Sequence, residues 1–147
     1  MTADHPDSLR FDIVDHVLVI VHADVPPHAS DWARMITVRD ANRQRIRGGL
    51  VVAPPRANIN AQQRADVARF MKETDASTAV LTDSALIRGV AAAVGLLGLK
   101  VRAFRPSDLN GALDYLGVPP GKRVEIQRRV AVMSAQLDGS RSRSSAS

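Results

Sequence analysis

TAVLTDSALIRGVAAAVGLLGLKVRAF, from Thr78 to Phe104, changes its hydrophobic period twice. Its opening, STAVLTD from Ser77, is a short apolar run with β-branched residues, which predicts a strand. Thr82, Asp83 and Ser84 then supply helix-capping side chains. SALIRGVAAAVGLLG follows and is apolar on nearly every side, which predicts a helix buried on more than one face. KVRAF, Lys100 to Phe104, alternates again as a strand does. A strand, a helix and a strand of these lengths join two parallel strands through a right-handed crossover. The stretch therefore predicts an α/β sheet.

Working upstream, LVVA (Leu50 to Ala53) is wholly apolar, as in a strand covered on both faces. APPRANINAQ breaks it at two prolines. Asn60 and Gln63 have the spacing of a capping box, which predicts a helix to about Lys72. FDIVDHVLVIVHA, Phe11 to Ala23, predicts a two-strand hairpin about Asp15 and His16, with one continuous bent strand as the alternative because Asp-His is not the favoured turn pair. Between these segments, Pro26 and Pro27 end a strand and a helix is expected with Ser30 as its N-cap. Trp32, Met35 and Ile36 share its inner face. Arg39, Arg43 and Arg47, with Arg34 and Arg45, form a stripe expected to face solvent, and Gly48 and Gly49 are expected to stop the helix.

Downstream, Pro106 and Ser107 open a helix with Leu109, Ala112, Leu113 and Leu116 on one side. After Pro119 and Pro120, KRVEIQRRVAVMSAQL predicts an amphipathic helix. The reading is one α/β domain: a mixed, mostly parallel sheet of about five strands with helices packed on it, plus an extra C-terminal helix. Residues 9–118 form the domain, 119–137 the added helix, and 1–8 and the Ser/Arg-rich 138–147 are expected to be disordered. The added helix is the expected cover for the outer side of the apolar helix after Ser84, with a second copy of the chain as the alternative.

Composition narrows the chemistry. The 147 residues include no cysteine, which excludes disulfides, thiolate zinc sites and cysteine nucleophiles. A cytoplasmic location is expected from this and from the polar opening MTADHPDSLR, which lacks the pattern of a secretory signal. The longest apolar run, Gly89 to Leu99, is too short for a membrane span. Net charge is +5. Most of the excess falls from Lys122 onward, in Lys122, Arg123, Arg128, Arg129, Arg141 and Arg143 against Glu125 and Asp138. The body is therefore not a nucleic-acid surface, and only the tail could hold one. No glycine-rich phosphate loop and no G-x-S-x-G motif occur. His22, Asp24 and His28 match no standard zinc spacing, and the histidines are expected to be solvated or hydrogen-bonded. No metal, cofactor or catalytic set is expected.

In order and lengths of elements, residues Leu9 to Val118 resemble the STAS domain, and its SpoIIAA-like branch in particular. The segment that carries the resemblance is TAVLTDSALIRGVAAAVGLLGLKVRAFRPSDLNGALDYLG. The resemblance implies a non-enzymatic, regulatory protein-interaction module. It also implies a switch, because such domains are phosphorylated on a Ser or Thr after the middle strand, where added negative charge repels a partner. Here that loop, APPRANINAQ, holds no Ser, Thr or Tyr, and Asn60 stands about where the acceptor would be. No phospho-switch is expected in this loop. The expected partner-binding residues are Arg56, Asn58 and Asn60, in the loop that runs to Gln63, and Thr82, Asp83, Ser84 and Arg88. The expected partner is another protein, with a homo-oligomer as a further option. Rival readings are an apolar or lipid-like ligand held against the apolar helix, a structural subunit of an assembly, and a small enzyme using the Thr82 to Arg88 crevice.

Overall fold

The computed structural model describes residues 7–146, with side chains to Ser140. Five strands and five helices occur among the described residues: β1 (Leu9–Val14), β2 (Val17–His22), α1 (Ala29–Ala41), β3 (Gly48–Val52), α2 (Ala61–Thr74), β4 (Ser77–Leu81), α3 (Ala85–Leu96), β5 (Val101–Phe104), α4 (Leu109–Tyr115) and α5 (Pro120–Ala146). The sheet runs in chain order, β1-β2-β3-β4-β5. β1 and β2 are antiparallel, joined at Asp15, whose φ of 60° supplies the left-handed turn residue. The later pairs are parallel. The single α/β domain expected from the sequence is the one observed.

The strand order explains the layering. Each parallel crossover advances one place in the same direction, so right-handed connections put α1, α2 and α3 on one face. Alternate residues of β2 divide between the two sides. Val17, Val19 and Val21 pack with Leu50, Leu81, Leu113, Ile126, Met133 and Leu137, beneath α4 and α5. Leu18 and Ile20 pack with Met35, Ile46 and Phe70, beneath α1 and α2.

Several local expectations are corrected. Ser30 is exposed and does not cap α1; His28 is the N-cap residue and makes no side-chain cap. Ser8 does the work from outside the helix. Its hydroxyl accepts from the His28 amide (2.8 Å), and its amide and hydroxyl both donate to Asp31 Oδ2 (2.8 and 2.6 Å). Ser8 is therefore buried and belongs to the domain, one residue earlier than expected. Burial pushes the Asp31 carboxyl up, but the two bonds from Ser8 and the charge of Arg34 outweigh it and hold it below its ordinary range.

Gly48 and Gly49 open β3 instead of ending α1, which stops at Ala41. α5 does not cover α3. It lies over β1 and β2 on the opposite face, where Arg129 reaches Asp12 at 3.3 Å. Its apolar positions Ile126, Met133 and Leu137 are spent on that core. α5 also continues to Ala146, past Leu137, where an end was expected. A helix held by packing propagates cheaply, and Gly139 is its only residue after Leu137 that opposes helix strongly, by about 1 kcal/mol. The expectations for residues 1–6 and Ser147 lie outside the described residues. No described helix is long and apolar enough to cross a membrane.

Candidate functional site

A cavity of about 180 Å³ lies between the sheet and α1–α3. Its floor is Ile20 and His22 of β2, Gly49 and Val51 of β3, and Thr78 and Val80 of β4. Val67, Ala68, Phe70 and Met71 of α2 wall it, and Ile87, Val90, Ala91 and Val94 of α3 line its other side; many of these residues are only half-buried, so the space is partly open to solvent. The sequence makes this space by omission. Gly49 has no side chain on the floor, and Ala68 and Ala91 are short in the walls. The atoms nearest to a Cβ at Gly49 would be Thr78 Oγ1 at 3.6 Å and two others at 3.9 Å, ordinary contacts. Only 3% of the residues are aromatic, so few side chains in this protein are large enough to fill such a gap.

The carboxyl ends of β2, β3 and β4 converge at one end of the cavity, the usual place for a ligand crevice in a parallel sheet. His22 ends β2 there and is buried, 5% exposed. Its Nδ1 is buried and has no hydrogen-bond partner. Burial alone lowers its pKa from 6.5 to about 4, so the imidazole is neutral near pH 7. Alternation along β2 places it on the cavity face, yet nothing in its local sequence distinguishes a buried histidine from a solvated one.

The residues singled out from sequence lie along this same edge. Asn58 lines the cavity beside Ala57 and Ile59. Arg56 is exposed, its amide donating to Asp24 Oδ1 at 2.8 Å. Asn60 and Gln63 form the expected capping box, with reciprocal bonds of 2.8 and 2.9 Å. After β4, Thr82 is buried and its hydroxyl accepts from the Ser84 amide, while Ser84 caps α3 through the Ile87 amide. Asp83 and Arg88 are exposed. The two loops thus flank one opening, with Asn58 and Ile87 both lining it. The capping box has a measurable weight: Asn60→Ala is expected to cost about 1 kcal/mol in urea unfolding. Peptides spanning Pro54 to Arg64 are expected to carry no phosphate by mass spectrometry.

At the other end of the cavity sits Arg39, which the stripe pattern had assigned to solvent. It is 5% exposed. It holds Asp66 with two bonds (2.8 and 3.3 Å) and Asp40 with a third (3.0 Å). Its guanidinium also lies 4.3 Å from the centroid of Phe70. Three other arginines of the stripe have partners, Arg43 with Glu73, Arg45 with the Asp15 carbonyl and Arg34 with Asp31, while Arg47 is exposed. The charge of Arg39 is therefore answered by protein, leaving the cavity apolar in character. Among the described residues no group of three His, Asp or Glu side chains could hold a metal ion.

No protein-family model matches this chain, and no curated protein matches it.

Proposed function

We propose that this protein is a non-enzymatic binding module that takes a small apolar molecule into the cavity beneath α3. The observation that carries this reading is the cavity itself: about 180 Å³, walled by aliphatic side chains and Phe70, at a sheet edge suited to ligand entry. An apolar cavity of about 150 Å³ stays dry and accepts a benzene ring. The space here suits a substituted ring or a short hydrocarbon chain.

The test is thermal unfolding with p-xylene near its solubility limit, on the wild type and on Gly49→Val. Binding only to the folded state raises stability by RT ln(1 + [L]/Kd), so a rise of a few degrees in Tm is expected for the wild type. Gly49→Val fills the floor and gives a strand a β-branched residue, so it is expected to match or exceed the wild type in stability yet lose the p-xylene response. No response in the wild type to p-xylene or to a panel of small hydrocarbons would overturn the reading.

A second reading, the regulatory protein contact implied by the STAS resemblance, is favoured by the outer face of α3 and its C-cap. Leu86, Leu96 and Leu97 are 62%, 89% and 78% exposed there. Loss of a co-purifying protein partner in a Leu86→Asp, Leu96→Asp double variant is its expected signature.

A further inference from the structure

We infer that the outer face of α3, with the end of the helical layer beside Leu96 and Leu97, docks on an anionic lipid bilayer.

The face follows from the helical period. α3 turns Ile87, Val90, Ala91 and Val94 to the cavity. Its opposite side presents Leu86, Gly89, Ala93 and Leu96, with Leu97 at the C-cap, and none of these is charged. All three leucines are largely exposed.

Charge decides what fits this face. Residues 31–100, which build α1, α2, α3 and the strands between them, hold eleven Lys and Arg against six Asp and Glu, and the rest of the chain holds nine of each. In that remainder the two signs meet. Residues 1–30 hold five Asp and one Arg, and the basic α5 answers them, Arg129 to Asp12 at 3.3 Å and Lys122 to Asp15 at 3.9 Å. The uncompensated positive charge therefore lies on the side of α1–α3. Parallel pairing gathers part of it near Leu96 and Leu97, because the connections from α1 to β3, α2 to β4 and α3 to β5 all fall at the amino ends of the strands. Arg45, Arg47 and Lys72 are exposed at that end and form no ion pair among the described residues. The acids there, Glu73 and Asp75, are taken by Arg43 and Lys100. No acidic residue occurs from Ser84 to Ser107.

Protruding leucines within a basic field complement an anionic bilayer: the leucines enter the headgroup boundary and the cations meet phosphates. A second copy fits less well. It would bring two basic faces together, and α3, of 12 residues, offers a footprint of about 200 Å² where a stable interface needs about 800 Å² from each partner. The regulatory protein contact of the second reading above fits less well too, because leucine is under-represented among protein hot spots and α3 carries no aromatic residue.

The test is co-sedimentation with vesicles of phosphatidylcholine alone and of phosphatidylcholine with about one third phosphatidylglycerol. The wild type is expected to bind the anionic vesicles about tenfold more tightly than the neutral ones. It should release them in about 1 M salt, where the Debye length falls to about 3 Å. Arg45→Gln with Arg47→Gln is expected to weaken binding about thirtyfold, and Leu96→Ser with Leu97→Ser about tenfold. These positions are exposed, so the urea midpoints of both variants should match the wild type and show that they are folded. Absence of binding to the anionic vesicles, or equal binding to both kinds, would overturn the inference. So would full binding by Leu96→Ser with Leu97→Ser. Binding lost in Arg141→Gln with Arg143→Gln would overturn it by moving the contact to the C-terminal end of the chain. Lipid-free dimers in sedimentation velocity, abolished by Leu96→Ser with Leu97→Ser, would overturn it in favour of a second copy. Each of these results leaves the cavity reading standing.

Discussion

His22→Leu is expected to make the protein more stable, and increasingly so as the pH falls. Near pH 7 the gain is about 1 kcal/mol, from removing an unpaired buried nitrogen. Below that a proton-linked term adds to it. The unfolded chain takes up a proton on this ring near 6.5, the folded one only near 4, because burial disfavours the imidazolium. Between those values the unfolded state binds more protons, so wild-type stability falls as pH falls. The contribution of His22 is fully present above about 6.5, and about 3 kcal/mol of it is lost by pH 4. The other titrating groups are common to both proteins, so the difference between their urea-unfolding free energies, measured from pH 7.5 to 4, isolates His22. A difference that stays flat across the range would show that the ring is protonated or solvated in the folded state.

The second large effect belongs to Asp66. Asp66→Ala would strand the Arg39 guanidinium, buried under α2, with Asp40 as its remaining anion. Removing one member of a buried ion pair costs about 3–5 kcal/mol, because the other charge stays desolvated. The lower end applies here, since Asp66 retains some exposure and Arg39 keeps its contact with Phe70. About 3 kcal/mol corresponds to a fall in Tm of roughly 10 °C for a chain of this size. Arg39→Leu combined with Asp66→Ala is expected to recover part of the loss, because no unpaired charge remains. Single and double variants compared by urea unfolding give the coupling directly, and strictly additive losses would show that the two side chains do not act as a pair.

These effects fall where sequence patterning is least informative. The arginine stripe from Arg34 to Arg47, which runs past the end of α1, has the spacing of a solvated face, and the exposed Arg45 conforms to it. Arg39 has the same local sequence signal and the opposite fate, because Asp66 and Phe70, from a different helix, meet it across the layer. Gly48 and Gly49 carry the signal of a helix stop for a similar reason. Glycine tolerates both a helix end and a strand, and here the parallel pairing with β2 and β4 decides between them. The α3 outer face shows the same limit. Its apolar character is plain from the residues, but which element covers it depends on the route of α5, and α5 is committed to the opposite side of the sheet.

By itself the sequence determined the order and type of the elements and the Asn60–Gln63 capping box, and favoured the hairpin at Asp15 over one bent strand. All of these rest on interactions between near neighbours: hydrophobic period, caps and turn residues. It also placed Thr82, Ser84 and Asn58 at strand ends, from which their common edge follows. Only the tertiary structure decided that the sheet's two faces are filled differently, with α4 and α5 packed close on one and a cavity left beneath α3 on the other. Only it decided that Nδ1 of His22 is buried without a partner and that Arg39 is buried and paired. Volume, solvation and charge compensation at a point depend on every element that converges there. Residues as distant in the chain as His22, Gly49 and Ala91 share one space that no local pattern describes.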